Sequence, residues 1–348
     1  MRGIPAPPCR RTSRCVIIRE RLMHMLQVIR NILIVAVLFF APAGPAVVPE
    51  SFAVSGYTSG VERLPQSVLT PEIWLFYPSL APATNTRFGN REMKVAVSAP
   101  VAEGVHPVVV ISHGLFGQPA DHHRLAEDLA RSGFIVIAPV HADGPALAQR
   151  YTRRTRDISI SLDTVLADPH FAHHLDASRI GAFGFSLGGA SVLAAAGGRI
   201  NLDLLRTHCH RAIEDPVFCS SLGVGNLAGS VPLFPDRRLR SIVLAAPVGV
   251  VFSSLDAVTA DVWVIRAGED KELRFPFHAE RVRNLMRRPY RYSFEPSAHH
   301  FAFLSPFPAS LADEIGAPAR DPAGFDRTEF QNRINREITA HFKNSLRP

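Results

Sequence analysis

The segment Arg179-Ile-Gly-Ala-Phe-Gly-Phe-Ser-Leu-Gly-Gly-Ala190 constrains this chain more than any other. An apolar run leads into Gly184-Phe185-Ser186-Leu187-Gly188, and a small-residue stretch with helical character follows through Ala196. A G-x-S-x-G between a strand and a helix predicts a tight elbow that raises a serine hydroxyl above a sheet. The backbone angles of such a serine bring the residues two before and two after it close together, where a Cβ would clash. The helix that follows aims its first N–H groups at negative charge developing near the hydroxyl.

An activated serine needs a base, an acid that orients the base, and donors for the charge that forms. Two later apolar runs end in suitable residues. Val262–Ile265 runs into Arg266-Ala-Gly-Glu-Asp-Lys271, and Tyr290–Phe294 into Glu295-Pro-Ser-Ala-His-His-Phe301. We assign Asp270 as acid and His300 as base; Glu269 and His299 stay open as rivals because adjacency does not separate neighbours. Upstream, the β-branched run 107–112 ends in His113-Gly-Leu-Phe-Gly117, where glycines let the backbone turn and present N–H donors. The expected donors are the amides of Leu115 and of Leu187.

Around these points the chain alternates strand and helix patterns. Strands are expected at 72–77 and 92–97 (an antiparallel beginning), 107–112, 134–138, 180–185, 241–245, 262–265 and 290–294. Helices are expected at 121–131, 158–166, 278–286 and 326–344. This alternation predicts an α/β fold, a mostly parallel sheet covered by helices on both faces. Residues 199–239 read as an insertion after the elbow helix, and residues 54–348 as one domain.

The formal charge of +7 is confined to the beginning of the chain. Residues 1–49 carry seven arginines and only Glu20 as an acid, a charge of +6 that leaves +1 for the remainder. A body so near neutrality has no electrostatic footprint for nucleic acid. The basic start, a short apolar core at 32–40 and then small residues with Pro42 and Pro45 predict a signal peptide within 1–53, with Met23 or Met25 as the true start. Export would place the protein in the periplasm or outside the cell, with no lasting membrane span. There, Cys209 and Cys219 are expected to form a local disulfide. Zinc at Cys209 flanked by His208 and His210 is the sharper alternative, but the C-x9-C spacing lacks the short cysteine pairs of structural sites. Fifteen histidines make chance neighbours such as His122-His123 common, so we expect no metal. Neither G-x-G-x-x-G nor a P-loop occurs, so we expect no cofactor either.

The chain resembles the α/β-hydrolases known as predicted dienelactone hydrolases, close to the platelet-activating-factor acetylhydrolase group. The likeness is carried by Trp74-Leu-Phe-Tyr-Pro78, Arg87-Phe-Gly89, Val110-Ile-Ser-His-Gly114, the elbow, Asp215-Pro-Val-Phe-Cys219, His300-Phe-Ala-Phe-Leu304 and Gly324-Phe-Asp-Arg327. It implies an α/β-hydrolase fold and a cofactor-free serine esterase acting on small or lipid-like esters. Three positions depart from the pattern. Phe185 stands where histidine often precedes the serine, and His299 where glycine often precedes the catalytic histidine. Ser186 replaces the cysteine nucleophile of dienelactone hydrolases proper. The rival expectations are a lipase-like or polyester-cleaving enzyme and a non-catalytic binding protein that retained the fold.

Overall fold

The computed structural model describes residues 56–143, 146–211, 214–221 and 231–348. The leader and signal expected within 1–53, with Met23 and Met25, lies outside the described residues. Val54–Pro348 form one compact unit.

The strands are β1 (Thr58–Leu64), β2 (Ile73–Ser79), β3 (Thr84–Phe88), β4 (Arg91–Val97), β5 (His106–Ser112), β6 (Ile135–Pro139), β7 (Leu175–Phe185), β8 (Arg199–Ile200), β9 (Leu239–Ala245), β10 (Phe252–Ser254), β11 (Asp261–Ala267) and β12 (Arg291–Glu295). Ten of them form one sheet in the order β12-β11-β9-β7-β5-β6-β2-β1-β4-β3. From β6 to β12 every neighbouring pair is parallel. At the other end β2 runs antiparallel to β6 and to β1, and β3 antiparallel to β4. β1 and β4 are parallel. β8 and β10 make a separate two-stranded ribbon.

The longer helices are α1 (His123–Arg131), α2 (Leu147–Ala167), α3 (Leu187–Ala195), α4 (Leu202–Arg211), α5 (Pro216–Ser221), α6 (Ala279–Leu285) and, near the C-terminus, α7 (Arg327–Ser345). They explain why the central strands read as unbroken apolar runs. Val108 and Val110 of β5, Ile135 and Ile137 of β6, and Ile180 and Ala182 of β7 pack with α2 and α3 on one face. Val109, Ile111, Val136, Ala138 and Phe183 pack with α1 and α7 on the other. A sheet covered on both faces has no side that tolerates polar alternation.

Two strands of the main sheet, the short β8–β10 ribbon and half a helix were not apparent from sequence. β1 and β3 are the polar segments TSGVERL and TNTRF. α2 begins at Leu147, well before the expected 158; the Arg150, Arg153, Arg154 and Arg156 of its first turns hide the apolar stripe in the sequence. Within 199–239, α4 and α5 supply Leu202, Leu205 and Phe218 to the core; residues 212–213 and 222–230 lie outside the described residues.

α7 is fastened by Phe342, fully buried against Phe134 with a ring separation of 6.4 Å and close above Gly181, where a Cβ would sit 2.8 Å from its ring. Asp326 caps the helix by accepting the Glu329 N–H at 2.9 Å. Replacing Phe342 with alanine leaves a cavity beneath α7. It should cost about 3–5 kcal/mol, measured by chemical denaturation, whereas Arg336→Ala, on the exposed face of the same helix, should cost less than about 0.5 kcal/mol.

Candidate active site

Ser186 joins β7 to α3 with φ 55° and ψ −118°, a conformation that a side-chain-bearing residue adopts only under constraint. The constraint is visible in the glycines. A Cβ on Gly184 would lie 2.4 Å from the Gly188 carbonyl oxygen, and one on Gly188 would lie 2.0 Å from the carbonyl oxygen of Ser112 at the end of β5. The Ser186 N–H donates to Ala245 O of β9 at 3.0 Å, and its carbonyl accepts from Val248 N at 3.1 Å. The elbow is therefore gripped from β5 on one side and from β9 on the other.

Three expected side chains meet here. Ser186 Oγ is 3.0 Å from His300 Nε2, and His300 Nδ1 is 2.8 Å from Asp270 Oδ2. The carboxylate accepts, so the Nδ1–H of His300 donates to Asp270 and the Nε2 lone pair faces the serine hydroxyl. Asp270 Oδ1 accepts the N–H groups of Glu272 (3.0 Å) and Leu273 (2.7 Å), which fix the carboxylate in place. The rivals point elsewhere. Glu269 is exposed, and His299 donates from Nε2 to Asp321 Oδ1 at 2.9 Å. Phe185 packs its ring 4.9 Å from that of His300.

The loop 113–117 is held by side chains for which no such role was expected. His113 Nε2 accepts the His141 N–H at 3.1 Å, so the proton of the neutral ring is on Nδ1, which donates to Gly114 O at 2.8 Å. Burial, chiefly, and the neighbouring Arg154 charge keep the His113 pKa well below its ordinary value. Arg154, itself buried on α2, donates to His113 O at 2.6 Å and to Gly114 O at 3.1 Å. It also makes a two-pronged pair with Asp143, at 2.8 and 2.6 Å. Asp143 in turn accepts the Phe116 N–H at 3.1 Å. In a trans peptide the C=O and the following N–H point in opposite directions. Pinning the Gly114 carbonyl toward Arg154 and His113 thus turns the Leu115 N–H the other way. The Leu187 N–H, in the first turn of α3, has no carbonyl within the helix to bond. Leu115, Leu187, Ser186 and His300 line one cavity of about 460 Å³, walled largely by apolar side chains including Tyr151, Phe218 and Phe307.

A second serine–histidine–aspartate series lies beneath this loop. Ser112 Oγ is 2.9 Å from His141 Nε2, and His141 Nδ1 is 3.0 Å from Asp157 Oδ2. Ser112 is wholly buried, so this series ties β5 to α2 and offers no accessible hydroxyl.

Cys209 and Cys219 form a disulfide, which removes both as thiolate ligands. His208 takes part in a different cluster, the one metal-like grouping among the described residues. Its Nε2 and that of His278 each lie 2.9 Å from Asp215 Oδ2. The Gly249 N–H points at His278 Nδ1 (3.4 Å), so the ring proton is on Nε2 and no lone pair there faces an ion. The cluster reads as a hydrogen-bonded lock between the α4–α5 segment and the loop that carries Asp270. Asp215 Oδ1 also faces the Arg274 N–H at 3.4 Å.

The fold and this site together define a protein of the α/β-hydrolase class. A family model described as chlorophyllase matches residues 83–265, more than half of the chain, and the chain belongs to that family. The family shown is thus chlorophyllase rather than specifically the dienelactone hydrolase or acetylhydrolase group that the motifs resemble. The matched stretch includes Leu115, Ser186 and Leu187 and ends before Asp270 and His300. No curated protein matches the chain. No described helix is long and apolar enough to cross a membrane.

Burial would raise the Asp215 pKa, but the hydrogen bonds from His208 and His278 outweigh it and hold the carboxyl far below its ordinary value. A depressed folded-state pKa stabilises the fold above the unfolded value, about 3.9, and that contribution is lost as pH falls below it. Asp215→Asn should therefore cost about 3 kcal/mol at pH 7. Denaturation at pH 7, 5, 4 and 3 should show the gap between wild type and variant constant down to about pH 5 and narrowing below about pH 4.

Proposed function

We propose that this protein is an exported serine hydrolase that cleaves carboxylic esters through an acyl-enzyme intermediate. The observation that carries the reading is the Ser186–His300–Asp270 series, with hydrogen bonds of 3.0 and 2.8 Å, at the wall of an apolar cavity. His300 takes the Ser186 proton on Nε2 as Oγ bonds to the ester carbonyl carbon, and Asp270 stabilises the imidazolium through Nδ1–H. The amides of Leu115 and Leu187 receive the oxyanion. The tetrahedral intermediate collapses with loss of the alcohol, which leaves with the proton held on His300. A water then repeats the sequence on the acyl-Ser186 ester, releasing the acid and restoring the serine.

These steps need only groups that the chain itself supplies. The disulfide supports export, since such bonds persist in oxidising compartments. The matching family's name makes chlorophyll one ester for the substrate panel, alongside p-nitrophenyl esters of increasing acyl length.

Ser186→Ala should abolish labelling by a fluorophosphonate probe and lower kcat on p-nitrophenyl butyrate by on the order of 10⁴-fold. Labelling that persists in the variant overturns the assignment.

Arg154→Lys tests how the oxyanion loop is held, because an ammonium cannot reproduce the fork that spans Asp143 and two carbonyls. With rates normalised to probe-reactive enzyme, kcat should fall about 10- to 100-fold while KM changes less than about twofold. A loss confined to the reactive fraction would assign Arg154 to folding alone.

A further inference from the structure

Arg91 opens β4, five positions along the sheet from β7, and falls on the inward row of that strand with Met93 and Val95. Its side chain has no exposure at all. A guanidinium inside an apolar row has to find partners within the protein, and those it finds lie in two segments that wall the Ser186 cavity. Nη1 donates to the carbonyls of Ser305 (2.6 Å) and Pro306 (2.9 Å), and Nη2 to Asp121 Oδ1 (2.6 Å). Cζ sits over the ring of Phe307, 3.3 Å from its centre. Asp121 passes the restraint on. Its Oδ2 accepts the Gln118 N–H at 2.9 Å, and its carbonyl accepts the Ser305 N–H at 2.7 Å. Gln118, Asp121, Leu304 and Phe307 all line the cavity of about 460 Å³ that contains Ser186.

We propose that Arg91 is a positioning residue that sets how bulky an acyl group Ser186 can carry, although it does not itself line the cavity. The inference rests on the esterase reading and adds to it the residue that determines acyl selectivity.

The acyl group is the part of an ester that these walls must screen. In the intermediate it is bonded to Ser186 Oγ and the alcohol has left, so the cavity around Ser186 houses it until water releases it. The catalytic groups are held by other bonds: Ser186 from β5 and β9, His300 by Asp270, and the Leu115 loop by Arg154 and His113. Gln331 Nε2 donates to Ala302 O at 3.1 Å and to Leu304 O at 2.5 Å, and so fastens the turn that carries His300 independently of Arg91. Loss of the Arg91 contacts therefore falls on the wall formed by 305–307 and Asp121 rather than on the proton transfer. Only a planar guanidinium can lay its face on the Phe307 ring while its edge donates to three oxygens; an ammonium cannot do both.

The test compares p-nitrophenyl acetate with p-nitrophenyl cyclohexanecarboxylate, which differ only in the acyl group. The ratio of kcat/KM between the two, taken within one preparation, does not depend on how much of a variant folds. Arg91→Lys should raise the bulky-to-acetyl ratio about tenfold over wild type, because the wall around Phe307 gives way. Phe307→Ala, which removes the ring itself, should raise it at least as far. The double variant should go no further than Phe307→Ala alone, since both changes act through one ring. Asp121→Asn keeps an acceptor for Nη2 but not the charge, and should move the ratio the same way by about threefold; it carries the test where Arg91→Lys yields no active protein. An unchanged ratio in the active variants, or effects that add in the double variant, overturns the proposal. Failure of the wild type to turn over either ester, with no fluorophosphonate labelling of Ser186, instead overturns the esterase reading and the selectivity role with it.

Discussion

The contact between Gly188 and the end of β5 is the constraint on which the rest of the site depends. A single Cβ at Gly188 would sit 2.0 Å from Ser112 O, and one at Gly184 would sit 2.4 Å from Gly188 O. These approaches let α3 start directly over the sheet, so that Ser186 is forced to φ 55°. Such a backbone costs about 1–3 kcal/mol, and it persists because β5 and β9 grip it from both sides. The same crowding puts the Leu187 amide next to the hydroxyl and brings the loop after β5 alongside.

That loop is governed by the direction of one carbonyl. Gly114 O accepts from His113, from Arg154 and, closing the turn, from the Gly117 N–H at 3.2 Å. The Phe116 amide is occupied by Asp143. The Leu115 amide shares its peptide with that pinned carbonyl and so points the opposite way, which is what makes it the proposed donor of this loop. Donors held this way need no reorganisation when charge develops. His113 contributes only as a neutral ring, and its burial keeps it neutral, so mild acid leaves this bracing intact.

How much of this was legible in the sequence varied with the physics. β5, β7, β9 and β11 stand out because strands buried on both faces carry almost nothing polar. The elbow and the order of Ser186, Asp270 and His300 stand out because Ser186 and Asp270 follow such strands and His300 follows the edge strand β12. Asp270 and Glu269 differ only in which side of a turn they face, and His299 and His300 likewise, so three-dimensional placement was needed to separate them. Arg154 was missed because RYTRRTRD looks like a solvated helix face. Yet Leu147, Tyr151, Arg154 and Ile158 recur at helical spacing, and all are buried. An arginine inside an apolar stripe requires partners of its own, and that was the available signal. β1 and β3 gave no such signal: in the half of the sheet away from the elbow, polar residues are tolerated.

The Asp215 lock extends the same logic to the acid. Asp270 is oriented by the N–H groups of Glu272 and Leu273, and the next residue, Arg274, directs its own N–H at Asp215. Asp215 lies inside the loop closed by the Cys209–Cys219 disulfide and takes hydrogen bonds from His208 on α4 and from His278 just before α6. Those bonds reach the turn that carries Asp270 from outside the parallel strands, whereas Ser186 and the Leu115 loop are held by the strands themselves. Phe218, from the same α4–α5 segment, also walls the cavity that contains Ser186. A segment that both braces the turn carrying Asp270 and walls the cavity couples the two, so changes there alter the shape of that cavity and the placement of Asp270 together.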